Sequence, residues 1–344
     1  MSNEAFGKKR LEDGNVPKSD RLLVSLRLVE LNAKEFGTLV LPESAGLWAG
    51  RRDVATYVRQ TTEIAGSAYG SRSYRTLGCF DGETLVASCK RYERTVRYKG
   101  KRLRAVGLGA VFTRPEFRGR GYASAMLATI CDRGRTAGDD VVYLFSDIKP
   151  AFYATLGFIE LPSRQISLRA DGLSDERVAA FPIEARDWPA VQRCYGALDA
   201  KRGWAFERDA AVWNWIRMRI LHGSEHPVGS PCNLAVRRGR SVVAYAIGVR
   251  APEHDAYIVD EYGFSDPQAE AIVPALLRNA AGDLRRVVGW LPPDGARDIL
   301  PRGSVRARRD AIFMAIPLTP AARSWITLAS DRTQGDGIWS TDHV

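Results

Sequence analysis

The sequence predicts an α/β (α+β) protein of two tandem domains, each a mixed, mostly antiparallel central sheet flanked by helices. Three observations carry this expectation. A hairpin, a long strand, a helix, a short apolar strand and a terminal strand follow one another in the same order twice along the chain. In the first half the long strand runs into a glycine-bearing loop that opens at once into a helix. The length of 344 residues is generous for one core and comfortable for two.

Taken in order, residues 1–20 lack the apolar run of a signal peptide and read as a flexible arm. Leu22–Leu31 reads as an opening strand and Ala33–Ile64 as helical in parts. Tyr74–Phe80 and Leu85–Tyr92, joined by Asp81-Gly82-Glu83, read as a hairpin. The polar turn Lys99–Arg102 leads into the long strand Leu103–Thr113. Ala123, Met126, Leu127 and Ile130 share one helical face and place a helix over Gly121–Thr136, ended by Gly138. Val141–Phe145 is a fully apolar strand, and Pro150 opens a short helix through Thr155, closed by Gly157.

In the second half, Ile183–Leu198 and Ala210–Ile220 read as amphipathic helices. Asn233–Val236 and Ser241–Val249 form a hairpin around Arg237–Arg240. Ala256–Phe264 is a strand, Gln268–Ala281 a helix, Arg286–Trp290 a strand and Ala311–Leu318 a closing strand. The boundary is expected in the polar stretch Ala170–Glu176, giving domains over 21–170 and 177–320 and a tail over 321–344.

Composition narrows the function classes. No run approaches the roughly 18 apolar residues of a membrane span, so a cytoplasmic protein without a membrane partner is expected. The five cysteines show no CxxC spacing and the four histidines lack ligand partners, so neither a disulfide framework nor a metal site is expected. The net charge of +10 favours a polyanion. Nucleic acid and a phosphorylated cofactor are both such partners. The basic residues are spread along the chain rather than gathered on one helix among aromatics. Charge alone does not decide between the two, so the expectation of no nucleic-acid partner rests on the motif that follows.

The chemistry concentrates in Val111-Phe112-Thr113-Arg114-Pro115-Glu116-Phe117-Arg118-Gly119-Arg120-Gly121-Tyr122-Ala123-Ser124. Gly119 and Gly121 allow close backbone approach, the helix start offers free N–H groups, and Arg118 and Arg120 add positive charge. A pyrophosphate is the natural occupant. The GxxxxGK[ST] of a P-loop is absent. A dinucleotide fingerprint lacks its acid after the following strand, since Asp139 and Asp140 precede it. A tight turn that needs glycine for geometry alone is the plain alternative.

Arg118-x-x-Gly121-x-Ala123, with its lead-in Pro115–Phe117, resembles the [RQ]-x-x-G-x-[GA] signature of the GNAT superfamily of acyl-CoA N-acyltransferases. Tyr153-Ala154-Thr155-Leu156-Gly157-Phe158 resembles that superfamily's second signature, Y-x-x-L-G-F, and one helix and one strand lie between the two. The resemblance covers about residues 22–170; over 180–320 it rests on element order. It implies acetyl-CoA as acyl donor, with the backbone of Val111, Phe112 and Thr113 pairing to the pantetheine arm. Amides from Arg118, Gly119, Arg120, Gly121, Tyr122 and Ala123 would hold the pyrophosphate, helped by the Ser124 hydroxyl. Tyr153 would protonate the leaving thiolate, a fitting role for a phenol with a pKa of about 10. An aromatic ring packed under a short helix is its plain reading.

The implied reaction is transfer of an acetyl group to a primary amine of a small molecule. An aminoacyl or longer-chain acyl transferase of related fold, and a silent CoA-binding protein, stand as alternatives, and a homo-oligomer is compatible with all three. The overall plan resembles the Eis-type tandem acetyltransferases, without the sterol-carrier-like domain that those carry. Relatives often place a glutamate on the central strand as base, but Arg102–Thr113 holds no carboxylate. The tail offers Asp342, His343 and the carboxylate of Val344, with Trp339 as an anchor; a loose terminus is the alternative. In the second half Gln268-Ala269-Glu270 replaces the glycine loop, so only the first half is expected to bind CoA. Asp260 and Glu261 read either as contacts for a cationic amine or as surface carboxylates.

Overall fold

The computed structural model describes residues 26–50, 52–148, 150–223, 229–331 and 338–344. The expected arm over 1–20, His226 and the Gly335–Gly337 part of the tail lie outside these. The described residues form two sheets of eight strands each.

The first sheet runs Leu26–Leu31, Tyr74–Asp81, Thr84–Tyr98, Lys101–Thr113, Val141–Ser146, Ile312–Pro317 and Ile159–Glu160, with Trp204–Phe206 paired to the far end of Thr84–Tyr98. The second runs Ala180–Pro182, Leu234–Arg238, Ser241–Ala251, Ala256–Phe264, Arg286–Trp290, Arg164–Arg169 and Ser304–Ala307, with Ser230–Pro231 paired to Ser241–Ala251. Position by position the two sheets correspond. In each, the fourth and fifth strands are parallel and the other pairings antiparallel.

Two strands cross the boundary expected at 170–176. Arg164–Arg169, which the sequence places in the first domain, is the sixth strand of the second sheet. Ile312–Pro317, expected to close the second domain, is the sixth strand of the first. Their sequences suit the exchange. Ile312–Ala315 is buried throughout, as an interior position demands, whereas Arg164–Arg169 alternates, burying Ile166 and Leu168.

The helix Tyr122–Ala137 covers one face of the first sheet. Its Met126, Leu127 and Ile130 pack with Leu108, Leu144 and Met314. On the opposite face Tyr143, Phe206, Phe313 and Trp325 form an aromatic core that also takes in Ile338 of the tail.

Each central strand carries a bulge at the same place. In the first sheet Lys90 faces Gly109 but Ser88 faces Phe112, so Lys101–Thr113 has one residue more than its neighbour, and Ala110 takes a left-handed φ of 47°. Parallel pairing to the fifth strand stops just before it, at Leu108 and Leu144. In the second sheet Ile247 faces Glu261 and Gly248 faces Val259, leaving Asp260 as the extra residue. There, parallel pairing stops at Val259 and Gly289. Each sheet therefore splays open beyond its bulge.

Candidate active site

The donor side is built from the bulged strand and the loop after it. From Gly109 to Phe112 the edge that faces away from Thr84–Tyr98 has no strand partner among the described residues, which leaves its main-chain edge open to a ligand. Phe112 turns its side chain into the protein, against Trp48, and offers only backbone; Val111 packs toward the helix Tyr122–Ala137. The Arg118 guanidinium donates to the Thr113 carbonyl at 3.2 Å. Residues Arg118–Gly121 are exposed, and Gly119 and Gly121 have φ of 74° and 88°. A Cβ at Gly119 would meet no protein atom within 4 Å, so backbone conformation, and not packing, selects glycine there.

The helix that follows begins at Tyr122 with no side-chain cap, leaving its first N–H groups for an anion. Tyr122 itself is buried, its hydroxyl donating to Asp81 at 2.7 Å, which leaves only its backbone at the loop. Ala123 and Ser124 are half-buried at the mouth.

Tyr153 lies on the short helix Ala151–Ala154, just past the end of the fifth strand. Its ring packs on Phe152 and Phe158, with centroids at 4.9 and 5.9 Å. Burial first, then the nearby Asp147 and Cys89, pushes the phenol up to about 12, so it is protonated at neutral pH. Cys89 is the residue opposite the bulge, which ties Tyr153 to the splay.

The tail binds both halves. Trp339 is 2% exposed and sits edge-on to Tyr262 at 4.9 Å. Ser340 donates to Asp260 at 2.5 Å, and the Thr341 hydroxyl donates to Glu261. These contacts correct the reading of Asp260 and Glu261 as acceptor contacts or surface carboxylates: both are buried under the tail, and the bulge at Asp260 is what turns them toward it.

Asp342 is completely buried and sits 3.0 Å from Arg94 and 2.9 Å from Arg208. Burial alone would raise its carboxyl, but the charges of Arg208 and Arg94 outweigh it and hold the pKa below the usual carboxylate range. Asp342 is thereby removed from the candidate bases. The His343 ring packs between Phe145 and Trp290 at 4.9 and 5.8 Å, and its carbonyl accepts from Arg219. Val344 reaches the donor strand. A methyl group on Gly109 would lie 3.0 Å from the Val344 carboxyl carbon, a tight contact, so glycine at 109 gives the carboxyl group room to approach the strand.

Tyr143, Arg94 and Arg208 were not singled out by the sequence. Tyr143 looked like one more core position of an apolar strand, and the two arginines were hidden in a chain rich in basic residues. Phe206 in the core and the N-capped helix Ala210–Leu221 on either side of Arg208 are the only local hints that it is held in place.

Residues 52–160 match the family model described as an acetyltransferase (GNAT) domain. Over these residues the chain is similar to a GNAT domain. With its second, matching sheet, the fold is that of two tandem GNAT-like α/β domains. Its fold is similar to that of a GCN5-related N-acetyltransferase from Kribbella flavida, with 20% identity and a TM-score of 0.62 over 85% of this chain and 72% of that one. A probable N-acyltransferase from Enterococcus faecalis matches at 15% identity and a TM-score of 0.66, over 84% of this chain and 71% of that one. Eis1 from Mycobacterium abscessus matches at 14% identity and a TM-score of 0.53, over 85% of this chain and 74% of that one. No curated protein matches the chain in sequence.

Proposed function

We propose that the protein transfers an acetyl group from acetyl-CoA to a primary amine of a small molecule, in the first half of the chain. The observation that carries this reading is the approach of the Val344 carboxyl group to Gly109, beside the bulge and above the open donor edge. The amine attacks the thioester carbonyl; the new N–C bond forms and the C–S bond breaks. The ammonium proton passes to the Val344 carboxylate, and the departing thiolate takes the proton of Tyr153. A main-chain N–H freed at the bulge steadies the oxyanion.

The preference for a short acyl group is supported by what lies behind the splay. Tyr143, next to Gly107 in the paired region, is completely buried among Phe206, Phe313 and Phe145, with centroids at 4.9, 5.9 and 6.1 Å. On the other face Leu108, Leu144 and Met126 are equally closed. A long chain has nowhere to run without displacing one of these walls.

The direct test is release of free CoA from acetyl-CoA across a panel of primary amines, from polyamines to aminoglycosides and amino acids. Acetylation of at least one primary amine, with one CoA released per amide formed, is the expected result. Donor binding with no turnover on any amine would favour the silent CoA-binding alternative, and turnover with long-chain donors only would favour the longer-chain one.

A further inference from the structure

We infer that the second half has turned its own donor slot into a receptor for the tail, and that Arg94 and Arg208, acting through Asp342, are positioning residues for Val344. The inference rests on the proton-acceptor role proposed above for Val344.

Four charged side chains, those of Arg94, Arg208, Glu261 and Asp342, are 0% exposed and meet at one point. They come from distant parts of the chain. Arg94 lies on the third strand of the first sheet, Glu261 on the central strand of the second, and Arg208 between Trp204–Phe206 and the helix Ala210–Leu221. Arg208 grips both oxygens of Asp342, at 3.1 and 2.9 Å, and reaches Glu261 at 2.7 Å. The Tyr245 hydroxyl donates to the other Glu261 oxygen at 2.5 Å.

Neither guanidinium is free to swing. Arg94 lies over Phe206 and Trp215 at 5.1 and 5.3 Å, and Arg208 over Tyr195 and Trp213 at 4.0 and 4.8 Å. Burying two ion pairs is a poor source of stability, because desolvation offsets most of the attraction. A forked arginine does fix the direction of a carboxylate. Two residues span at most about 7 Å, so fixing Asp342 confines Val344 to the neighbourhood of Gly109. Ser340 and Thr341 complete the seat by filling the place where the second sheet opens at its bulge.

The test uses the full chain, Arg208→Lys, Asp342→Asn, a chain ending at Asp342, and that chain carrying Arg208→Lys. Lysine keeps the charge and loses the fork. Misplacement of a reacting group by about 1 Å costs up to a hundredfold in rate, so Arg208→Lys and Asp342→Asn are each expected to lower kcat by about 10- to 100-fold. The KM for acetyl-CoA should stay within about twofold, since neither residue touches the donor loop. In the chain ending at Asp342, adding Arg208→Lys should change kcat by less than about twofold, because its effect passes through the missing residues.

Thermal melts confirm folding, and should Asp342→Asn fail to fold, Arg208→Lys carries the test alone. A slow truncated chain beside an unimpaired Arg208→Lys overturns the positioning role and leaves the proton acceptor standing. Effects that multiply in the double variant also overturn it. Full turnover in the truncated chain rejects the proton acceptor itself, and the positioning role with it.

Discussion

The two halves share a sheet, a bulge and a splay, and then treat the opening in opposite ways. In the first, the strand beyond Ala110 is followed by left-handed glycines and a helix of 16 residues whose start has no side-chain cap. In the second, the strand beyond Asp260 leads to Asp266, whose carboxylate caps the Ala269 N–H at 2.9 Å at the start of a four-residue helix, and the nine-residue helix Val273–Ala281 comes after it. The first opening keeps its donors for an anion. The second supplies its own anion at the helix start, and seats Ser340 and Thr341 at the bulge. On the reading proposed above, a slot for a cofactor and a slot for the chain's own tail differ by a cap and a pair of carboxylates, within one sheet plan.

The change expected to break this contrast most severely is Gly121→Glu. It places a side chain and a negative charge at a left-handed position of the loop proposed to hold the pyrophosphate. Calorimetric titration of the folded variant should show no acetyl-CoA binding, and near-normal affinity would contradict the assignment of the loop. Next in size is Tyr153→Phe, which keeps the ring packing and removes the proton. Turnover should fall by roughly 10²–10⁴-fold with donor affinity little changed. Unaltered turnover at saturating substrate would leave Tyr153 a packing residue.

A smaller effect sharpens the closed end of the first slot. Tyr143→Ala should raise the ratio of hexanoyl- to acetyl-CoA turnover by about tenfold, while costing about 3–5 kcal/mol of stability by analogy with other buried aromatic truncations. Tyr143→Phe, with the same ring, should leave the ratio alone. An unchanged ratio in folded Tyr143→Ala would move the acyl pocket elsewhere.

The smallest expected effect concerns pH. The folded pKa of Asp342 is depressed below its unfolded value, so its contribution to stability is fully present above the ordinary carboxylate pKa of about 4 and is lost as pH falls through the lower folded value. The stability gap between wild type and Asp342→Asn should therefore be constant above about pH 5 and narrow on acidification below about pH 4. A gap that widens in acid would contradict the ion pairing.

The sequence made legible whatever is local. The hairpin Tyr74–Asp81 with Thr84–Tyr98, the glycine loop, and the helix Tyr122–Ala137 all announce themselves through turn residues and periodicity. Strand exchange does not, because Ile312–Pro317 is an ordinary apolar strand and nothing in its composition says which sheet it joins. The bulges are equally silent: Ala110 and Asp260 carry no turn signature. The buried charge cluster was hardest to see. Asp342 pairs with Arg94 across 248 residues and with Arg208 across 134, and each of the three looks like solvated surface charge when read alone. By sequence Asp342 belongs with the possible bases, whereas its partners make it an anchor.

The central claim, that one opening serves the donor and its counterpart serves the tail, is tested most directly by calorimetric titration of the full chain with acetyl-CoA. One binding site per chain is expected, and a chain lacking Trp339–Val344 should still bind one equivalent, since directly after its central strand the second half has no glycine loop and a helix start capped by Asp266. Two equivalent sites in the full chain, or no binding at millimolar donor, would contradict the account.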